Sequence, residues 1–128
     1  MLKESVYDRM TKAEKEVAYM LAELGIQWSY ERPLFIWDEY KRPRVWTPDF
    51  YLLHFGIYIE VCGSKEFDYE YRRKIFARNG YQVIFLHLYK DKNKWKDHLF
   101  EYLKLYSNCR ANKIQEILRK KFTYTSII

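Results

Sequence analysis

Asp49 and Glu60 are the residues whose type and setting point to chemistry. Each is a carboxylate in apolar company, Asp49 beside Phe50 and Glu60 between Ile59 and Val61. An ionised carboxylate in such a place is costly unless a cation pairs with it. Residues 45–53 and 57–62 read as two strands joined by a tight connection at His54-Phe55-Gly56, hence an antiparallel hairpin. With that connection, residues whose numbers sum to about 110 face each other, which sets Asp49 beside Glu60 or Val61. Strand alternation puts Asp49, Tyr51 and Leu53 on one side, and Tyr58, Glu60 and Cys62 together on the next strand. Mg²⁺ or Mn²⁺ suits the pair. These hard cations take oxygen ligands, so Asp49, Glu60 and the Val61 backbone carbonyl would hold one and leave room for water and phosphate. The competing expectation is that the two carboxylates are salt-bridged to Arg42, Arg44 or Arg72.

The elements that must position these residues are legible in outline. Thr11-Lys12-Ala13-Glu14 has capping-box spacing, and Ala13, Val17, Met20, Leu21 and Leu24 recur at helical intervals until Gly25, predicting a helix over 11–24. Residues 26–37 are aromatic and β-branched with Pro33 inside, which predicts an edge strand or a strand with a break. Residues 66–79 read as a helix ended by Asn79-Gly80, and residues 82–88 as a buried strand. Two further helices are expected over 92–106 and 112–122, the second with an apolar stripe of Ile114, Ile117 and Leu118 among Lys113, Arg119, Lys120 and Lys121. The order is helix, three strands, helix, strand and C-terminal helices. It predicts an α/β fold with a central mixed sheet of about four strands flanked by helices.

Bulk properties narrow the class. A chain of 128 residues, 48% hydrophobic, is one domain's length with material for one core, so residues 1–128 are read as a single domain. Its core spans about 11–88 and a helical extension about 92–122. The 23 Lys and Arg against 17 Asp and Glu leave a charge of +6, which favours phosphate polymers or an anionic surface as partner. Cys62 and Cys109 form no disulfide framework, and the first ten residues hold Lys3, Glu4, Asp8 and Arg9 where an export signal would be apolar. A reducing, cytoplasmic setting without membrane anchoring is the expectation.

Thr47-Pro48-Asp49-Phe50 followed by Ile59-Glu60-Val61-Cys62-Gly63 resembles the core of the PD-(D/E)xK nuclease superfamily, in which Pro-Asp starts one strand and Glu-x-Lys ends the next. The helix opened by Thr11 and the helix leading to Asn79-Gly80-Tyr81 fall where that superfamily has its elements, so the resemblance covers about residues 11–88. Within it the chain looks closest to phage endonuclease I-type junction resolvases and very-short-patch-repair-like endonucleases; the latter share an Arg eight residues before a Gly-aromatic turn, as Arg72 stands before Gly80. The resemblance implies a restriction-endonuclease-like fold and metal-dependent hydrolysis of DNA. Asp49 and Glu60 would be its metal ligands, with Glu14 approaching from the first helix. It departs at Cys62, where the pattern has the Lys that positions water and stabilises the pentacovalent phosphate. Arg72, Lys74 and Lys65 are the candidates to replace it.

Other residues have plainer readings beside the functional ones. Capping and the helix dipole explain Glu14 without catalysis, and a solvated face explains Arg72 and Lys74. The turn Lys41-Arg42-Pro43-Arg44 leads directly to Asp49 and, with Lys65, is the candidate phosphate contact. His54, His87 and His98 lack the spacing of a metal site, and His87 is expected as a hydrogen-bonded core residue. The segment 110–121 is expected to cover the sheet, grip DNA backbone or contact a second copy in a homodimer. Two rivals to an endonuclease stand: an inactive nucleic-acid-binding module of the same fold, and a structural or assembly protein.

Overall fold

The computed structural model describes residues 5–65, 67–90 and 94–127, without the side chains of 109, 110 and 121–127. A short 3-10 helix, Val6–Arg9, precedes the first expected element and is closed by a capping box between Ser5 and Asp8. Thr11 then caps α1 (Lys12–Glu23) as its spacing predicts: the Glu14 amide donates to the Thr11 hydroxyl, and the Thr11 amide donates to the Glu14 carboxylate. The buried stripe is Glu14, Val17, Ala18 and Leu21, so Leu24, expected inside, is exposed. Gly25, at φ 70°, supplies the left-handed residue that ends the helix.

Residues 26–37 form two strands, β1 (Trp28–Tyr30) and β2 (Leu34–Trp37). The break falls where Glu31 takes φ 55° and Pro33 has no amide to donate. The expected strand over 45–53 also divides, into β3 (Pro43–Trp46) and β4 (Phe50–Leu52), because Pro48 cannot continue a ladder. After the turn at Gly56 come β5 (Ile57–Cys62), α2 (Tyr69–Arg78) and β6 (Val83–His87). Asp68 caps α2, so the helix starts later than expected; Glu66, its expected first residue, lies outside the described residues.

β1, β4, β5 and β6 make one sheet in that order, antiparallel except for the parallel pair β5–β6, which α2 connects. The fold class is therefore mixed α/β, with a four-stranded sheet and helices. A departure is the separate antiparallel ribbon of β2 and β3. Phe50 lies opposite Ile59 and Tyr51 opposite Tyr58, a register that runs on to Asp49 and Glu60. One sheet face packs Phe50, Leu52, Ile57, Ile59, Ile84 and Leu86 under α1. The other face presents Tyr58, Cys62 and Phe85 to Ile75 and Phe76 of α2 and to Leu34 and Ile36 of the ribbon.

The two C-terminal helices expected over 92–106 and 112–122 are one helix, α3 (Lys94–Ile127), preceded by residues outside the described set. Neither Gly nor Pro occurs between its ends, so nothing in the chain breaks it. Trp95, Leu99 and Leu103 bury against the first sheet face. Beyond Tyr106 every described side chain up to Lys120 is exposed, so the expectation that this segment covers the sheet is not met. Among the described residues no helix is long and apolar enough to cross a membrane.

Candidate functional site

Pro48 is buried and ends the β4 ladder one residue too early for the β5 backbone. The Asp49 side chain fills the gap: the Val61 amide donates to its Oδ2 at 2.7 Å. The Asp49 carbonyl meanwhile accepts from the Glu31 amide at 3.0 Å, so the residue is tied on both flanks. On β5 the amides and carbonyls that serve β6 belong to Tyr58 and Cys62, through bonds to Gln82 and Leu88. By alternation Val61 turns its backbone toward β4 and Asp49.

Glu60 is 7% exposed, and Nη2 of Arg72 donates to its Oε1 at 2.7 Å. The Arg72 guanidinium lies over the rings of Trp46 and Phe76, at 4.7 and 5.2 Å from their centroids, so a flat cation is held between α2 and β3. One alternative from the sequence is thus realised for Glu60: it is salt-bridged, to Arg72. Asp49 is not in that ion pair. Burial pushes its carboxyl up to about 7, the negative charges of Glu60 and Glu14 add to the rise, and the Val61 amide and Arg72 oppose it. Burial likewise raises Glu60, against the pull of Arg72.

Glu14 enters from the first turn of α1 and is 9% exposed. Its Oε1 accepts from the Thr11 amide and its Oε2 from the Tyr30 hydroxyl. Burial and Glu14 raise the Tyr30 phenol, which stays a donor. Capping and proximity to Asp49 are therefore both true of Glu14. Cys62, buried on the same face as Glu60, is pushed up to about 12 by burial and by the nearby carboxylates. It is a neutral thiol, weakly hydrogen-bonded to the Glu60 carbonyl at 3.8 Å, and supplies neither cation nor thiolate.

The remaining sequence candidates are spread out. Lys74 is exposed on α2, within electrostatic reach of Glu70, and only Arg72 of that helix meets Glu60. Lys65 and Lys41 are exposed, Lys41 at φ 60° in the turn of the ribbon. Arg42 and Arg44 both donate through Nε to Asp38, at 3.1 and 3.2 Å. Asp38 was not singled out from the sequence. It also gathers the Tyr40 and Arg42 amides, and the Arg42 amide above all holds its carboxyl down to about 2. An Asp three residues before the basic turn is the signal that was there to read. Tyr30 and Trp46, also missed, carry no local signal, since tertiary contact alone makes them part of the site. His87 differs from expectation: its Nδ1 is buried without a hydrogen-bond partner, its ring meets those of Tyr69 and Tyr89, and burial lowers its pKa.

A cleft of about 580 Å³ lined by Phe55, Gly56, Gln82, Tyr106, Lys113, Ile114 and Ile117 opens where β5 and β6 begin, at the sheet end away from Glu60. Among the described residues no three His, Cys, Asp or Glu side chains stand together as a ready metal cage. Two carboxylates do meet, Glu60 buried and Asp49 half-buried, the charge of Glu60 adding to the rise of Asp49, with Asp49 Oδ1, Glu60 Oε2 and the Val61 carbonyl outside the hydrogen bonds described above. That donor set fits Mg²⁺, which takes one or two carboxylates and completes its shell with water and phosphate.

No family model matches the chain, and no curated protein or solved structure matches it either. The class defined here is a mixed α/β protein with a carboxylate pair, Glu60 buried and Asp49 half-buried, at the two central strands of its sheet.

Proposed function

We propose that the chain is a Mg²⁺- or Mn²⁺-dependent endonuclease that hydrolyses phosphodiester bonds in DNA, branched or structured DNA among its substrates, on a restriction-endonuclease-like fold. The observation that supports this most is charge: Glu14, Asp49 and Glu60 act on one another electrostatically, while Arg72 is the cation acting on the Asp49–Glu60 pair. Three carboxylates against one guanidinium leave a deficit that a divalent cation would balance. In this reading Asp49, Glu60 and the Val61 carbonyl hold the metal, which when bound supplies Lewis acidity and an activated water. Glu14, fixed by Thr11 and Tyr30, orients that water. Arg72 offsets charge on the phosphate in place of the lysine that the resembled pattern has at position 62. Lys41, Arg42, Arg44 and Lys65 meet the flanking backbone, and the exposed Ile114, Ile117 and Leu118 of α3 are the contact of a homodimer.

The test is cleavage of supercoiled, single-stranded and four-way-junction DNA with Mg²⁺, Mn²⁺ or chelator. Asp49→Asn is expected to lower the rate about 100-fold or more while DNA binding persists. Cleavage by that variant at the wild-type rate would sink the assignment. One observation favours a second reading, an inactive nucleic-acid-binding module: Glu60 is already paired with Arg72 and Cys62 is neutral. Salt-sensitive binding without cleavage under any metal is its signature.

A further inference from the structure

We infer that Trp46 is a positioning residue of this site: its ring fixes the plane of the Arg72 guanidinium. The β2–β3 ribbon, and not α2 alone, thereby decides where the cation beside Asp49 and Glu60 stands. The positioning rests on geometry alone, and its consequence for catalysis rests on the nuclease reading.

Arg72 is poorly fixed by hydrogen bonds. Its Nη2 meets Glu60 Oε1 at 2.7 Å, while its Nε is buried with no hydrogen-bond partner among the described residues. An arginine that takes a carboxylate through two parallel bonds has its plane set by them. One bond leaves the guanidinium free to turn about it. The ring faces supply the missing constraint, Trp46 at 4.7 Å and Phe76 at 5.2 Å from centroid to Cζ.

The two rings act differently. Phe76 stands one turn after Arg72 on α2, so it moves with the helix and cannot place the cation relative to the sheet. Trp46 comes from β3 and can. Residues 39–47 are exposed except Trp46, which is half-buried and packs against the cluster that holds Leu34, Cys62 and Phe76. The Tyr71 and Phe76 rings meet it edge-to-face, at 6.2 and 5.3 Å between centroids, so its own orientation is fixed.

The ribbon behind the ring is also tied down. The Trp37 amide donates to Asn79 Oδ1 at 2.8 Å, Asn79 Nδ2 donates to the Trp37 carbonyl at 2.9 Å, and the Tyr81 hydroxyl donates to the Phe35 carbonyl at 3.1 Å. Leu34 lies opposite Trp46 across the ladder. Thus α2 carries the guanidinium, and a ribbon anchored at the end of that helix carries the surface it lies against. Asp49 follows Trp46 by three residues, so the segment that presents the ring runs on to the carboxylate.

Filling space would need only apolar volume at position 46, whereas holding a cation flat needs a π face. Nitrogen relaxation of the arginine Nε–H groups separates the two, measured on the full chain in chelator for wild type, Trp46→Phe and Trp46→Leu. The Arg72 order parameter is expected near about 0.85 in the wild type and below about 0.6 in Trp46→Leu, with Trp46→Phe recovering most of the loss. A wild-type Arg72 as mobile as the exposed Arg78 overturns the positioning without recourse to a variant. So does an Arg72 that stays rigid in Trp46→Leu. Cleavage of DNA in Mg²⁺ is scored separately. Trp46→Leu is expected to lower kcat about tenfold or more with KM within about twofold, since a misplacement of about 1 Å can cost about 100-fold. Unchanged kcat in that variant refutes the role of Trp46 alone. Ring-dependent order at Arg72 without cleavage by the wild type supports the positioning and refutes the nuclease reading alone.

Discussion

Asp49 concentrates the tension in the site, because burial and two neighbouring carboxylates oppose its ionisation. Its folded value of about 7 lies above the value of about 3.9 expected in an unfolded chain. Between those values the folded state holds the extra proton, so stability falls as pH rises through the window, by at most about 4 kcal/mol for this group. In chelator, Asp49→Asn is expected to stabilise the protein at pH 8 and to make little difference at pH 4, read by urea denaturation. An equal effect at both pH values would show that the carboxyl is not under this strain. Added Mg²⁺ is expected to raise the melting temperature of the wild type but not of the variant. Arg72 works the other way. Arg72→Ala leaves Glu60 buried without its cation and is expected to cost about 3–5 kcal/mol at neutral pH, less in acid where Glu60 is protonated. Adding Glu60→Gln is expected to recover most of the loss.

At the scale of elements, the ribbon and α2 depend on each other through one side chain. Asn79 caps α2 by donating to the Ile75 carbonyl at 2.8 Å and holds both backbone groups of Trp37. Asn79→Ala is expected to cost about 1–3 kcal/mol and to speed amide exchange in residues 34–46 more than in β5. Uniform acceleration across the sheet would show that the ribbon is not separately pinned. α1, β5, α2 and β6 were legible in the sequence because each has its own period and its own stop: Thr11 and Gly25, Gly56 and Gly63, Asn79 and Gly80. The ribbon was not. Pro33 announced a break, Pro48 was read through as part of one strand over 45–53, and nothing local said that the segments between them would leave the main sheet and pair with each other.

For the whole molecule, α3 sets the shape. Its 34 residues span about 51 Å, and only the first part packs on the sheet. Ile117 and Leu118 are 57% and 49% exposed, so replacing both with Ala is expected to change monomer stability by about 0.5 kcal/mol or less. A protein-concentration-dependent loss of stability in that variant, absent at high dilution, is the outcome a homodimer through this helix requires.

Sequence alone determined what depends on near neighbours: the capped first helix, the hairpin register that brings Asp49 to Glu60, and the order of helices and strands that makes the α/β class. Local periods and turns specify such features because each is decided within a few residues. Tertiary structure decided which cation reaches which carboxylate. Arg42 and Arg44 go to Asp38, Arg72 crosses from α2 to Glu60, and Tyr30 fixes Glu14. The Asp38 pairs are local, four and six residues apart, but Arg72–Glu60 and Tyr30–Glu14 join different elements, and burial and charge choose those partners only once the layers have packed.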